Sequence, residues 1–192
     1  PGVLLDHLDW LGKYIVAKKP DVIVCLGDFA DMESLCSYDT GKKSFEGRRY
    51  KNDINIARVG MEKLLGPLKS FNQGKPKNSS QRYSPRLVLT LGNHEDRITR
   101  AIESDAKLEG VLSLADLEYE KWGWEVSPYL KPVIVDGIVY NHYFPSGQMG
   151  RPCTSARAIL QKYHMSGFAR HQQGRDIAYG KRADGKTITA II

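Results

Sequence analysis

The stretches DVIVCLGDFAD (residues 21–31) and RLVLTLGNHED (residues 86–96) decide how this chain reads. Each is an apolar run of strand character that ends in a glycine followed at once by a polar side chain: Asp28 after Gly27, Asn93 after Gly92. Glycine at such a point lets the backbone turn sharply and come close to a ligand. Two strands that deliver polar atoms from glycine turns predict one site at a shared sheet edge.

Working outward, Leu4, Leu8, Leu11 and Ile15 recur at helical spacing before the first strand, and Pro20 is expected to stop that helix. A polar loop is expected over roughly 32–51. Next comes a helix capped by Asn52 or Asp53, with Ile54, Ala57, Met61, Leu64 and Leu68 on its apolar face. Residues 70–85, rich in Gly, Pro, Asn and Ser, read as a loop, and a third helix starts just after GNHED. From about residue 124 the pattern changes. KPVIV and IVYNH flank Asp136-Gly137, a two-residue hairpin signal, and DIAYGKR and KTITAII flank Ala183-Asp184-Gly185, a second one. A short helix, TSARAILQKYH, and the segment MSGFARHQQ lie between them. Parallel βα units followed by antiparallel hairpins predict an α/β chain, a layered sandwich.

At 192 residues, with 41% hydrophobic and 26% charged content, the chain suits one domain over 1–192. No apolar run nears the ~20 residues that span a bilayer. The start, PGVLLDHLDWLGKYI, lacks the basic front and cleavage site of a signal peptide. Three scattered cysteines, with Cys25 inside an apolar strand, read as reduced thiols, so a cytoplasmic location is expected. A net charge of +6 favours anionic partners. The densest basic stretches are KKSFEGRRYK (42–51) and KSFNQGKPKNSSQRYSPR (69–86), readable either as solvated loops or as a nucleic-acid surface.

Four groups can be gathered at the strand ends: Asp28, Asn93, His142 and His171. A carboxylate, an amide carbonyl and two imidazoles suit manganese, iron(II) or zinc better than magnesium or calcium. His94, beside Asn93, is placed for a general acid. Taken singly, Gly-Asp after a strand is ordinary turn chemistry, His142 fits a half-buried strand position and His171 a surface one. His164 reads as a helix cap and His7 as part of a solvated helix face.

GD, GNHE and two later histidines, in this order, resemble the calcineurin-like metallophosphoesterases over nearly the whole chain. Their pattern is D-x-H, G-D, G-N-H-[ED], a lone H and G-H-x-H. Phage-encoded members are similar in VDGIVYNHYFPSGQMGRP (135–152) and HQQGRDIAYGKRADGKTIT (171–189). The resemblance implies an αββα sandwich and a dinuclear centre of manganese, iron or zinc. It implies hydrolysis of a phosphoester, by phosphodiesterase, nuclease or phosphatase action, through a metal-activated water. Asp28 would bridge the two ions, and Asn93, His142 and His171 would complete the second. His94 would protonate the leaving oxygen, with Glu95 or Asp96 holding its imidazole. Arg97, Arg100 and Arg151 would add charge for phosphate, with the loop Pro145–Pro152 as a pocket wall. Two departures stand out. No D-x-H precedes Gly27, since LLDHLDW (4–10) has the wrong spacing, and G-H-x-H reads Arg170-His171-Gln172-Gln173. Both fall on the first metal, leaving Gln173 as a weak substitute ligand. The opening helix and the final TITAII (187–192) lead to the expectation that the chain is incomplete at one or both ends. The alternative function is a catalytically silent phosphate- or nucleic-acid-binding homologue with one metal or none. The partners expected are a phosphoester substrate, nucleic acid among the candidates, and no membrane.

Overall fold

The computed structural model describes residues 5–192, so Leu4 of the first apolar stripe lies outside the described residues. The expected alternation holds through the first half: α1 (Asp6–Lys18), β1 (Val22–Cys25), α2 (Tyr50–Asn72), β2 (Arg86–Thr90) and α3 (Arg97–Ser104). β3 (Glu125–Ser127) completes a parallel sheet of order β1-β2-β3, with Val22 opposite Arg86 and Thr90 opposite Ser127. That third strand was not expected, because a segment of three residues is too short to display alternation.

Helix α1 packs on α2 through Gly12, where a Cβ would lie 2.2 Å from the Leu64 carbonyl oxygen. So close an approach fixes the helix's rotation. Gly12 and Ile15 are buried, Leu8 is half-buried, and Leu11, expected inside, is 45% exposed. Helix α2 starts before the expected caps: Arg49 is its cap residue, and Asn52 and Asp53 lie within the helix. Asp53 instead accepts from the Ser34 N–H at 2.9 Å, pinning the loop that precedes it. The expected apolar face holds, with Ala57, Met61 and Leu64 buried in a core that also contains Leu87 and Leu89 of β2 and Ile98 of α3. Burying a side chain the size of Met61 or Leu64 contributes about 1.5–3 kcal/mol. Where a loop was expected from residue 70, α2 continues to Asn72. The Asn72 amide then trades hydrogen bonds with the Tyr83 backbone, 2.7 Å to its carbonyl and 3.0 Å from its N–H.

The second half begins with the expected hairpin, β4 (Val133–Val135) and β5 (Ile138–Tyr140), turning through Asp136 and Gly137 at φ 49° and 77°. A short ribbon follows, β6 (Pro145–Ser146) with β7 (Arg151–Pro152), then α4 (Ala156–Tyr163). Ser155 caps α4 at its start, and His164 ends it in the left-handed conformation at φ 53°. β8 (Ser166–Phe168), β9 (Ile177–Lys181) and β10 (Thr187–Ile191) complete a mixed sheet of order β4-β5-β8-β10-β9. The strand β8 lies in MSGFARHQQ, the segment whose end was expected to deliver His171. It runs parallel to both neighbours, and its buried Gly167 leaves room for Val139 and Ile159. A second apolar core forms there from Val139, Phe144, Ala156, Ile159, Leu160 and Ala190. The molecule is a mixed α/β structure with one parallel and one mixed sheet packed against helices. No helix among the described residues is long and apolar enough to cross a membrane.

Candidate metal centre

The two glycine turns interlock. A Cβ on Gly27, at φ 82°, would sit 2.5 Å from the Gly92 nitrogen, and one on Gly92 would sit 2.1 Å from Asp28 Oδ1. Nothing larger fits either position. Glu95 locks the pair from beneath, with no solvent exposure. Its Oε2 accepts from the N–H groups of Asp28 and Gly92, each at 2.9 Å. Its Oε1 accepts from Phe29 N–H at 2.7 Å, Ala30 N–H at 3.0 Å and the Tyr119 hydroxyl at 3.1 Å. Burial, with the Glu95 charge second, pushes the Tyr119 hydroxyl well above the usual phenol range, so it stays a donor.

Held this way, Asp28 (φ 52°) divides its oxygens. Oδ1 accepts from the His94 N–H at 3.0 Å, while Oδ2 lies 3.3 Å from His142 Nε2. The histidines arrive from the other sheet. His142 follows β5 and His171 follows β8, and the N–H groups of Arg170 and His171 donate to the His142 carbonyl, latching the two loops together. His142 Nε2 and His171 Nδ1 each lie 2.8 Å from Asn93 Oδ1 and 3.1 Å from one another. Arg100 steadies Asn93 by donating to its carbonyl at 2.9 Å.

His142 Nδ1 sits 2.8 Å from the Leu26 carbonyl, which can only accept, so Nδ1 carries the proton and Nε2 turns a lone pair inward. Burial first, and the neighbouring His142 second, hold His171 below the usual imidazole range, which keeps it neutral. Lone pairs of Asp28, Asn93, His142 and His171 thus converge with almost no protons between them. That arrangement fits a cation. Asp28, His142 and His171 offer ligand atoms all within 4.8 Å of one another, and theirs is the single such group among the described residues. The N₂O₂ donor set matches the borderline metals expected from sequence.

No family model, curated protein or solved structure matches this chain.

His94 stands at the rim, 29% exposed, with Nε2 3.8 Å from Asp28 Oδ2. Its Nδ1 meets Asp31 Oδ1 at 2.5 Å, and Arg97 Nη2 donates to Nε2 at 3.2 Å. The Asp31 hydrogen bond, with help from the Asp28 charge, raises the His94 imidazole above its usual range, and His94 in turn lowers Asp31. The imidazole is therefore held by Asp31 and not, as expected, by Glu95 or Asp96. Glu95 is spent on the turns, and Asp96 pairs with Arg100 at 3.3 Å. Arg97 is mostly buried, its Nη1 donating to the Asp31 carbonyl at 2.7 Å, so only its other end faces the site. Arg151 is exposed on the β6–β7 ribbon, which reaches the centre through Tyr143. The Tyr143 hydroxyl donates to the Gly150 carbonyl at 3.3 Å, and its ring lies 5.0 Å from that of His171. Gln173 is exposed and makes no side-chain hydrogen bond among the described residues; its neighbour Gln172 donates to the Cys153 carbonyl at 3.2 Å. His7 is exposed on α1, as expected.

Sequence reasoning missed Asp31, Tyr143 and Tyr119. For Asp31 a signal existed, since GDFAD carries a second carboxylate three residues after Asp28. Nothing in the sequence marks the two tyrosines.

Proposed function

We propose that this chain is a metal-dependent phosphoester hydrolase of the calcineurin-like metallophosphoesterase type, with the αββα sandwich of that family. One observation carries the reading: four converging lone pairs stand beside an imidazole that a carboxylate keeps ready to carry a proton. Asp28 Oδ2, Asn93 Oδ1, His142 Nε2 and His171 Nδ1 would hold a manganese, iron or zinc ion. Such an ion supplies a Lewis acid for a phosphoryl oxygen and an acidified water.

The remaining work falls to the protein. His94, protonated on Nε2, gives its proton to the leaving oxygen while Asp31 stabilises the imidazolium. Protonation of Nε2 ends its acceptance from Arg97, and the freed guanidinium end then pairs with a phosphoryl oxygen. The silent-homologue reading has one observation in its favour: a single ligand group is assembled among the described residues, where dinuclear hydrolysis uses two ions.

Elemental analysis after manganese loading and desalting, run beside turnover of bis-nitrophenyl phosphate, separates the readings. The expected result is retained manganese that is lost in Asn93→Ala. His94→Ala and Asp31→Asn should keep the metal, with the former losing ~10²–10⁴-fold in turnover. A wild-type chain that holds manganese without turnover would establish the silent homologue. Manganese retained in both Asn93→Ala and His142→Ala would overturn the ligand assignment.

A further inference from the structure

The whole of the net charge sits at one end of the sequence. Residues 151–192 hold eight Lys and Arg against two Asp, a surplus of six, while residues 1–150 hold twenty of each sign. The ten cations of the basic stretches singled out from sequence, 42–51 and 69–86, are offset in number by carboxylates elsewhere in residues 1–150, and three of them make ion pairs among the described residues. Lys42 and Arg48 pair with Asp39, and Arg86 with Glu125. In residues 151–192, by contrast, all eight cations are exposed. Among the described residues only Arg182 has an ion pair, to Asp184 at 3.5 Å. The other carboxylate, Asp176, accepts from the Ala156 N–H at 2.7 Å.

Three of these cations meet at a groove. Arg157 from α4 and Lys181 and Arg182 from the end of β9 line a cavity of about 480 Å³ with His164 and Tyr179, and no carboxylate lines it. Leu160 and Ile188 give it an apolar floor. Strand alternation puts Tyr179 and Lys181 on one side of β9 and Gly180 and Arg182 on the other. Since β9 is the edge of its sheet, the groove wraps that edge and offers cations from both sides. Tyr179 is 73% exposed, with no aromatic or cationic partner on its ring among the described residues.

A free phosphate would call for a tight cradle of buried donors. Exposed, spaced cations, an apolar floor and a bare aromatic ring instead suit a chain of phosphates carrying flat bases. Stacking on Tyr179 requires a base not already stacked in a duplex. The groove lies at the end of the strands away from the histidines: His164 precedes β8, and His171 follows it. Roughly 13 Å of β10 separates the two ends, at ~3.3 Å per residue. Exposed Arg175, just before β9, and Arg170, next to His171, continue the positive surface toward the metal centre.

We infer that the groove between α4 and the β9–β10 hairpin binds single-stranded nucleic acid. That the bound strand is also the substrate rests on the phosphoester reading; the binding itself does not.

The test is fluorescence anisotropy with a labelled oligothymidylate of roughly 15 nucleotides, in EDTA so that no metal contributes. The triple variant R157Q/K181Q/R182Q should bind at least about tenfold more weakly at low salt. It should also flatten the slope of log K against log[salt] by about two, three phosphate contacts at ~0.7 each. Tyr179→Leu keeps the apolar bulk but should weaken binding about fivefold or more, with the slope unchanged. The control K42Q/K43Q/R49Q removes equal charge elsewhere and should change affinity by less than about twofold. Equal losses in both triple variants, or no wild-type binding, would overturn the groove assignment. Full affinity in Tyr179→Leu, or tighter binding of a duplex, would overturn the single-strand assignment. Bis-nitrophenyl phosphate turnover, measured in parallel, should be untouched by the groove variants. Oligonucleotide binding without turnover would sink the hydrolase reading and leave the groove standing, and turnover without binding would do the reverse.

Discussion

Replacing Glu95 with Gln is the sharpest probe of how the two glycine turns are held. The change is nearly isosteric and removes only the charge and one acceptor. In the wild type, five donors face the two carboxylate oxygens, two on Oε2 and three on Oε1, and no solvent reaches them. An amide cannot satisfy that arrangement. Turned one way, its NH₂ faces the N–H groups of Asp28 and Gly92; turned the other, it faces Phe29, Ala30 and Tyr119. At least two charge-assisted bonds are lost, at about 1.5–3 kcal/mol each, so the cost is roughly 3–6 kcal/mol. A typical domain has only ~5–15 kcal/mol to lose. Urea unfolding reads the effect directly: with a slope no steeper than about 3 kcal/mol/M, the midpoint should fall by at least ~1 M. Tyr119→Phe is the comparison, since it removes one charge-assisted bond and strands no donor, and should cost about 1.5–3 kcal/mol, half of the Glu95→Gln loss. A Glu95→Gln midpoint within ~0.3 M of wild type would refute the claim that this carboxylate carries the turn pair.

Gly92→Ala places a Cβ 2.1 Å from Asp28 Oδ1 and 2.4 Å from its nitrogen, so one turn must give way. Thermal unfolding should show a loss of about 1–3 kcal/mol, and the protein that remains folded should no longer retain manganese; an alanine variant with full stability and metal would contradict the interlock. The Asp39 carboxyl is held down to about 2, by the Lys42 hydrogen bond first and the Arg48 one second. With the folded value depressed, this pairing favours the native state above the ordinary carboxylate value of ~3.9 and is lost as the pH falls through about 2. Carbon-detected carboxyl titration should find that midpoint in the wild type and a higher one in Lys42→Gln; an unmoved midpoint would reject the pairing.

Much of the fold was legible because it rests on long or chemically marked segments. The α2 stripe repeats over enough turns to be read, and Asp136-Gly137 names its own turn through two left-handed residues. What escaped was short and shaped by tertiary contact. β3 and β8 have three residues each, and they are strands only because a neighbour supplies the ladder. Leu11 fits the α1 stripe by spacing, yet it ends at the surface because Gly12 alone permits the approach to Leu64. Spacing records which residues share a helix face, not which part of that face a partner chooses to cover.

The site divides along the same line. The candidate ligands could be named because each is a polar residue that follows an apolar run. Their supports could not, because support depends on direction. His94 and Glu95 are adjacent, but the turn sends the first to the rim at 29% exposure and the second into the interior at 0%. The family resemblance offered Glu95 or Asp96, its neighbours in sequence, as the holder of the imidazole. The actual holder, Asp31, stands 63 positions earlier, on the partner glycine turn. The interlock of Gly27 with Gly92 brings it there, so the same contact that closes the two turns also sets the His94–Asp31 pair beside the candidate metal ligands. A mutation that loosens the turns should therefore remove metal affinity and proton donation together, whereas one at Asp31 should separate them.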